Sequence, residues 1–288
     1  MNLDREPVRV GRPSGSRNVA IDESRVARYA QAMGVPGQRY DTTAPGLLLH
    51  SECYEDLSWY LHNIWGNLHA RQEWELFGPM PVGEEVTTRG FVRERYRKRG
   101  RDYVVKETWV LDGSGQLLNR GITHQSFLVE TQTDGDAVAK KPRPARRPDP
   151  TTPPAIRTLA PLDLLVDDET CMAFSGPERT YHTDRDEARA LGFPDIVVQG
   201  MLPICLLGEL LAREFGSGWN AGGKMDVRLV NVLWAGEEVS ARAEVTAETP
   251  ESDGTRVHLT CWVEKKDGTK VIVGNASAVR TPDTKVSA

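Results

Sequence analysis

One histidine of this sequence lies where acid–base chemistry could be built. His182 follows the run Phe174-Ser175-Gly176-Pro177-Glu178-Arg179-Thr180-Tyr181, and Gln199-Gly200-Met201 opens an apolar segment further along the chain. The histidine side chain changes charge near neutral pH, so it can accept or donate a proton. An isolated histidine near a helix start is more often structural, so the role of His182 depends on the motif around it.

The other five histidines have no comparable setting. Their spacing fits no metal site, and we predict none. We keep His50 as a candidate substrate-binding residue, because it lies in the first turns of a predicted helix and could line the same cavity as His182. The remaining four are His62, His69, His124 and His258.

Length and charge limit the classes of protein to which the chain could belong. Its 288 residues are enough for about two domains. The 36 Lys and Arg side chains are outnumbered by 41 Asp and Glu, which gives a formal charge of −5. This balance provides no basic surface for nucleic acid or a membrane. We therefore expect small molecules or proteins as partners.

The cysteines and the N-terminus favour a cytoplasmic protein. The cysteines form no CxxC pair and lie mostly in apolar runs, as reduced, buried thiols do. The N-terminus is charged, and no stretch reaches the roughly 18 apolar residues of a membrane span. The four cysteines are Cys53, Cys171, Cys205 and Cys261.

An internal repeat organises the chain. Gly83-Glu84-Glu85-Val86 recurs as Gly236-Glu237-Glu238-Val239, at an offset of 153 positions. Several matches in one register indicate a duplicated unit rather than chance. The further matches at this offset are Trp109-Val110 with Trp262-Val263, and Gly115 with Gly268.

Three β-rich runs follow each copy of this tetrapeptide. Branched and aromatic residues alternate in them with charged ones, which is typical of antiparallel strands with one buried face. Each half is therefore predicted to be an antiparallel meander. The predicted runs are Val86 to Arg93, Asp102 to Leu111, Leu117 to Val129, Val239 to Thr246, Thr255 to Val263 and Lys270 to Val279.

An apolar helix is predicted to cover the dry face of each meander. Gly200 to Phe215 is apolar nearly all round, as in a buried helix, and Pro203 falls in its first turn, where a missing N–H does no harm. In the first half the matching helix begins at Pro45-Gly46 and runs to Leu61. A proline-rich segment separates the halves and is predicted to be an extended linker. The predicted units are 1–130, the linker 131–158, and 159–288, which carries the site.

The segment around His182 resembles the hydratase motif of MaoC-like dehydratases, the (R)-specific enoyl-thioester hydratases. The family motif has the form Tyr-Ser-Gly-Asp-x-Asn-Pro-(Ile)-His, followed by Asp, Gly-Phe and His-Gly-Met. The stretch Arg228 to Val239 also resembles the family's Arg-Phe-x-x-Pro-Val-x-x-Gly-Asp segment. The first half matches more loosely. The matching positions are Phe174-Ser175-Gly176, His182, Asp184, Gly192-Phe193 and Gly200-Met201.

The resemblance implies a fold and a reaction. The fold is an α+β double hotdog, two antiparallel sheets each wrapped around a long central helix and paired edge to edge, within a homodimer. The reaction is addition of water to, or its elimination from, an acyl thioester of coenzyme A or an acyl carrier protein, a lyase activity without a cofactor. His182 would be the general base or water holder, and the Gly200 N–H would stabilise the thioester oxyanion. Glu178 or Asp184 would support them, with Gln199, Tyr181 and Met201 binding substrate.

Three of the departures from the motif bear on its chemistry. Pro177 replaces the catalytic Asp, Arg179 replaces the Asn, and Gln199 replaces the His before Gly-Met. Proline has no proton to give, and glutamine is neither acid nor base near neutral pH. Glu178 lies beside the vacant position, although neighbours in an extended segment point to opposite sides.

A basic cluster at one strand-to-strand turn has two interpretations. It contains Arg99 and Arg101, which could bind the phosphates of coenzyme A or of a carrier-protein arm. The alternative is a solvated hairpin tip.

The departures leave three hypotheses for function open. The first is a hydratase or dehydratase acting on an enoyl or 3-hydroxyacyl thioester. The second is a repurposed member that catalyses cyclisation or isomerisation, which the proline at the catalytic position favours. The third is a non-catalytic partner subunit of another MaoC-like chain.

Overall fold

The fold is built around one extended antiparallel sheet. The computed structural model describes residues 10–52, 67–128, 155–252 and 254–280. Eleven strands join in the main sheet, and a separate pair lies beside it in the first half. The first-half strands are β1 (Pro13–Ala20), β2 (Thr43–Ala44), β3 (Leu68–Leu76), β4 (Met80–Pro81), β5 (Glu85–Lys98), β6 (Arg101–Leu111) and β7 (Leu117–Leu128).

The second half repeats this arrangement with its own strands and contains most of the described helices. The strands are β8 (Arg157–Thr158), β9 (Leu162–Val166), β10 (Lys224–Leu229), β11 (Glu237–Glu251), β12 (Gly254–Lys265) and β13 (Lys270–Arg280). The helices are α1 (Glu23–Met33) in the first half and α2 (Asp168–Ser175), α3 (Arg185–Ala190), α4 (Met201–Phe215) and α5 (Ser217–Asn220) in the second. A short 3-10 helix covers Gly37–Tyr40.

The halves share one sheet, joined edge to edge as expected, rather than two distinct sheets. The strand order is β1-β5-β6-β7-β3-β10-β13-β12-β11-β8, with β9 also paired to β11, and β3 joins β10 at the seam. Pairing the two edge strands satisfies backbone groups that each half would otherwise leave open. Arg71 on β3 adds a bidentate ion pair to Asp226 on β10, with both nitrogen–oxygen distances 2.6 Å.

The repeat is visible in the backbone as well as in the sequence. Gly83 and Gly236, which begin the repeated tetrapeptide, have φ values of 89° and 87°. Gly115 and Gly268 have φ values of 87° and 83° in the later turns. These are left-handed conformations that favour glycine, so the matched glycines make the same turns in both halves.

Helix α4 forms the centre of the second half, as predicted. Twelve of its residues are buried, and Gly200 is its N-cap. Pro203 lies in the first turn, where its missing N–H breaks no helical hydrogen bond. The strands around it contribute an apolar inner face, so the core extends from α4 into the sheet.

Some expectations fall partly outside the described residues. The first-half helix is described only to Glu52, where a helical residue follows a series of turns, and Cys53 lies beyond it. Only the end of the predicted linker is described. There Arg157–Thr158 forms a short strand that pairs with β11, not an extended coil. The other three cysteines are buried and form no disulfide. Within the described ranges, no helix is both long and apolar enough to cross a bilayer.

Candidate active site

A compact turn after α2 places His182. Thr183, which is buried, accepts a hydrogen bond from the Thr180 N–H at 3.0 Å and donates one to the Glu178 carbonyl at 2.7 Å. The His182 N–H donates to Thr180 Oγ1 at 3.2 Å. Three side-chain-to-backbone hydrogen bonds thus fix a segment that has no regular secondary structure.

The imidazole of His182 is held as a neutral base. Its Nδ1 lies 2.6 Å from the Val197 carbonyl oxygen, which can only accept, so Nδ1 carries the proton. Nε2 is then left with the lone pair, and no described residue forms a hydrogen bond to it. Burial lowers the pKa of His182, which favours this neutral form. The ring also contacts that of Tyr181, with centroids 3.9 Å apart.

The same backbone segment leads from His182 to the N-terminus of α4. The Val197 N–H donates to the Tyr181 carbonyl at 3.1 Å, and the Val198 N–H donates to the Leu233 carbonyl at 3.0 Å. Three residue steps separate Val197 from Gly200, a span of at most about 11 Å. The structure therefore brings the predicted base and the predicted oxyanion donor to one end of α4.

Gly200 occupies a crowded position. A Cβ there would lie 2.6 Å from Leu229 Cδ2 and 3.3 Å from His69 Nδ1. Among the described residues, its N–H has no hydrogen-bond acceptor. An unpaired amide at the start of a helix carries partial positive charge, and the absent side chain leaves it approachable.

The predicted substrate-binding residues of this segment divide into two groups. Gln199 is half-buried, and its buried Oε1 has no partner among the described residues. Tyr181 is half-buried, with its ring 5.9 Å from that of Phe193. Met201, in contrast, is fully buried in the hydrophobic core. Gln199 and Tyr181 are thus available to a ligand, whereas the position of Met201 favours a packing role.

The two carboxylates predicted to support His182 are engaged elsewhere or exposed. Asp184 caps α3, accepting from the Asp186 and Glu187 N–H groups, and pairs with Arg179. The hydrogen bond from Arg179 lowers the pKa of Asp184. Glu178 is exposed. Their catalytic roles stay predictions, which this geometry does not favour.

His50 of the first half contacts the motif segment of the second. Its ring stacks on Phe174 with centroids 4.1 Å apart and planes 7° from parallel. His50 is buried, and burial lowers its pKa to about 3. His50 thus contacts the residue that opens the motif, as a neutral aromatic ring, and its role in substrate binding stays a prediction.

His69, to which the sequence assigned no chemistry, lies beside Gly200. A β-bulge between His69 and Arg71 shifts the register, so His69 is opposite Gln125 on the inner face of the sheet. Burial lowers its pKa to about 4, and its Nε2 lies 3.2 Å from Gln72 Oε1. Simple alternation counted back from Gln72 puts His69 on the outer face, so the pattern could not have found it.

The basic cluster forms the tip of the β5–β6 hairpin. Arg99 is exposed at the turn with φ 53°, whereas Arg101 donates to Ser126 Oγ at 2.9 Å. Arg95 pairs with Asp102 across the hairpin. Of the two predicted phosphate ligands, Arg99 is the one whose side chain extends into solvent. Within the described part of the chain, no cluster of three metal-ligating side chains is present.

Comparison with solved structures identifies the architecture. A MaoC-like dehydratase superposes with a TM-score of 0.73 at 17% identity, covering 97% of this chain and 99% of that one. The chain has the double hotdog fold. A MaoC-like dehydratase from Phytophthora capsici gives 0.70 at 19% identity, covering 98% and 99%. A conserved protein of Mycobacterium tuberculosis, described as a double hotdog, gives 0.62 at 16% identity, covering 91% and 93%.

These likenesses confirm the resemblance to MaoC-like proteins at the level of the double hotdog fold. Family models and curated proteins gave no match. The double hotdog of this chain therefore rests on structure over nearly its full length, while its chemistry must be argued from its own residues.

Proposed function

We propose that the second half catalyses hydration of an enoyl thioester, or the reverse dehydration of a 3-hydroxyacyl thioester. The observation that carries this is a neutral imidazole and a Gly200 N–H at the same end of α4, with neither Nε2 nor that N–H bonded by any described residue. A base and an oxyanion donor are the two groups that this addition needs most.

His182 alone can perform both proton transfers of the reaction. Nε2 takes a proton from water while the hydroxyl oxygen bonds to Cβ. The electron pair of the Cα–Cβ double bond then forms a double bond between Cα and the carbonyl carbon, and the carbonyl π pair moves onto the thioester oxygen. The Gly200 N–H stabilises that oxyanion. The imidazolium then returns its proton to Cα on the same face, which restores the thioester carbonyl and the neutral base.

Gln199 supports this scheme despite its departure from the motif. Its Oε1 is buried without a partner among the described residues. Burying an unsatisfied acceptor is costly, so a donor such as the reacting water would stabilise it. The glutamine would orient the water by hydrogen bonding, a task that requires no titration. The scheme then needs no acid in place of the missing Asp at Pro177, which is exposed, because His182 performs both proton transfers.

Double-bond isomerisation is a second candidate, favoured by the proline at the catalytic position. Moving a double bond along the acyl chain requires one base that removes a proton from one carbon and returns it to another. His182 and Gly200 suffice for this, and no water need be activated. A partner subunit without catalysis is the remaining possibility. We also propose that the thioester is carried by coenzyme A or by an acyl carrier protein. The protein is further proposed to be a homodimer.

Hydration of crotonyl-CoA and of longer enoyl-CoAs, followed by loss of the conjugated enoyl absorbance, tests the proposal. We expect turnover by the wild type and a loss of about 10²–10⁴-fold in His182→Ala. His258→Ala is the matched control, because His258 lies on β12 outside the site and should keep full activity. No hydration by the wild type, with double-bond migration detected instead, would replace the first candidate by the second. Equal activity of both variants would refute the role of His182.

A further inference from the structure

The β5–β6 hairpin and its repeat equivalent, the β11–β12 hairpin, have the same backbone plan and opposite charge. Each contains a register shift at the same position of the repeat. Residues 93–102 include six basic and two acidic side chains, whereas the equivalent residues 246–255 include three acidic ones and no basic one. The basic charge of the first hairpin is therefore a property of its side chains and is not imposed by the fold.

The acidic hairpin is balanced by ion pairs within the chain. Glu248 forms a bidentate pair with Arg280, with nitrogen–oxygen distances of 2.9 and 2.8 Å. Glu251 pairs with Arg256 at 2.6 Å. These two carboxylates are thus already compensated, and they leave little charge for a partner.

The basic hairpin, in contrast, keeps unpaired charge at its tip. Arg95 pairs with Asp102 across the hairpin. Arg97, Lys98 and Arg99 are exposed, and no acidic side chain among the described residues forms an ion pair with them. Clustered positive charge on a protein with a net charge of −5 attracts an anionic partner and speeds its association.

This basic hairpin lies at the same end of the sheet as the candidate active site. His69, which lies beside Gly200, is opposite Gln125, which is opposite Val104, which in turn is opposite Arg95. Three strand spacings separate the first of these residues from the last, a distance of about 14 Å. The acidic hairpin lies at the other end of the sheet, because β3 and β10 are antiparallel.

An outer row of side chains connects the basic tip to the start of β3. Leu68, Ser126, Tyr103 and Tyr96 are paired in that order across β3, β7, β6 and β5. Leu68 is 51% exposed, and the two tyrosine rings stack with centroids 4.8 Å apart. Arg101 donates to Ser126 Oγ at 2.9 Å. Aromatic residues and arginine are the types enriched where proteins bind other proteins.

The extent of this surface favours a protein partner over a small molecule. Small ligands bind in concave pockets, where a few convergent groups contact them together. The outer row instead spans four strands, and the charged side chains beyond it project from an exposed turn. A protein with an acidic surface can contact the row and the tip at once.

We propose that an acidic acyl carrier protein docks on the outer row and the basic tip, and that its arm passes around the start of β3 to place the thioester at Gly200. Leu68 in the outer row directly precedes His69, the residue beside Gly200, so the route crosses only the end of one strand. This inference rests on the proposed function, and it deepens that function by choosing the carrier protein over coenzyme A.

Binding of saturated acyl thioesters tests the inference without requiring turnover. The probes are a purified acidic acyl carrier protein loaded with a decanoyl chain, and decanoyl-CoA, both titrated by calorimetry. We expect the loaded carrier protein to bind at least about tenfold more tightly than decanoyl-CoA at low salt. Raising the salt from about 0.05 M to about 0.5 M NaCl should remove most of this preference, because exposed charges are screened.

Charge reversal at the tip identifies the docking surface. Arg97→Glu and Arg99→Glu should each weaken binding of the loaded carrier protein by about tenfold and leave binding of decanoyl-CoA unchanged. Lys224→Glu is the matched control, because it makes the same charge change on an exposed residue at the opposite end of the sheet, and it should keep both affinities. Thermal unfolding shows that each variant folds.

Equal affinity for the two probes, or equal losses in Arg97→Glu and Lys224→Glu, would overturn the inference. Weaker binding of decanoyl-CoA in the tip variants would also overturn it, since the tip would then bind the phosphates of the coenzyme. Hydration of crotonyl-CoA without a preference for the carrier protein removes this inference and leaves the proposed function intact. Tip-dependent binding of the carrier protein without hydration of either enoyl thioester does the reverse.

Discussion

Replacing Gly200 with alanine adds a single methyl group at the point where the oxyanion would bind. That methyl would lie 2.6 Å from Leu229 Cδ2 and 3.3 Å from His69 Nδ1. The leucine side chain must move, an overpacking that costs about 1–3 kcal/mol of unfolding free energy. The methyl would also obstruct access to the Gly200 N–H. Losing one oxyanion donor lowers kcat by about 10²–10³-fold.

The internal repeat supplies a matched control at Gly46. A Cβ there would lie 2.8 Å from Leu76 Cδ1 and 3.2 Å from Asn220 Oδ1, almost the same crowding as at Gly200. Gly46→Ala should therefore lose a similar unfolding free energy, measured by urea denaturation. It should keep kcat for crotonyl-CoA, because no oxyanion is proposed at Gly46. Equal losses of kcat in the two variants, or full activity in Gly200→Ala, would refute the assignment of the Gly200 N–H.

Three further predictions concern stability. Leu206→Ala in the fully buried face of α4 should lower the unfolding free energy by about 2–5 kcal/mol, whereas exposed Leu165→Ala on β9 should change it by under about 0.5 kcal/mol in urea denaturation. His50 has a folded pKa of about 3, below its unfolded value of 6.5, so its contribution is present above pH 6.5 and is lost as the pH falls toward 3. His50→Phe, which can keep the stack on Phe174, should reduce the acid slope by up to about 1.4 kcal/mol per pH unit. An unchanged slope would contradict this. Asp184→Ala should lower the melting temperature by removing the α3 cap, without the loss of turnover expected of a catalytic carboxylate.

The elements predicted correctly are those whose sequence pattern lies within one short stretch of the chain. The alternating runs that became β5 to β7 and β11 to β13 carry their own period, and Met201–Phe215 is apolar nearly all round. The repeated tetrapeptide marks turns that glycine alone adopts easily. Each of these can be recognised within a dozen residues, because pattern and conformation are set by neighbours along the chain.

The seam between the halves depends on contacts that no local pattern encodes. Strand β3 has a glutamine, Gln72, where alternation calls for an apolar residue, so it was not predicted as a strand. Its partnership with β10 joins positions about 150 residues apart, as Arg71 opposite Arg228 shows. The edge-to-edge pairing itself was expected only from the family resemblance, and the strands that form it are decided in the assembled molecule.

In the candidate site, too, the residues with a local sequence signal were predicted and those that depend on tertiary contacts were not. His182 and Gly200 were identified by their spacing in a motif, and the structure places them at one end of α4. The bulge that turns His69 inward is a tertiary feature, and so is the use of Asp184 as a helix cap. A carboxylate two residues after a histidine has the same spacing whether it assists that histidine or begins the next helix.

The pH dependence of kcat/KM for enoyl-CoA hydration tests the central claim most directly. If the neutral imidazole of His182 is the base, log kcat/KM should rise with unit slope and level off at a pKa below the ordinary histidine value of 6.5, because burial disfavours the charged ring. In His182→Ala this limb should disappear together with the activity. A limb that persists in His182→Ala, or one centred above 6.5, would contradict the account.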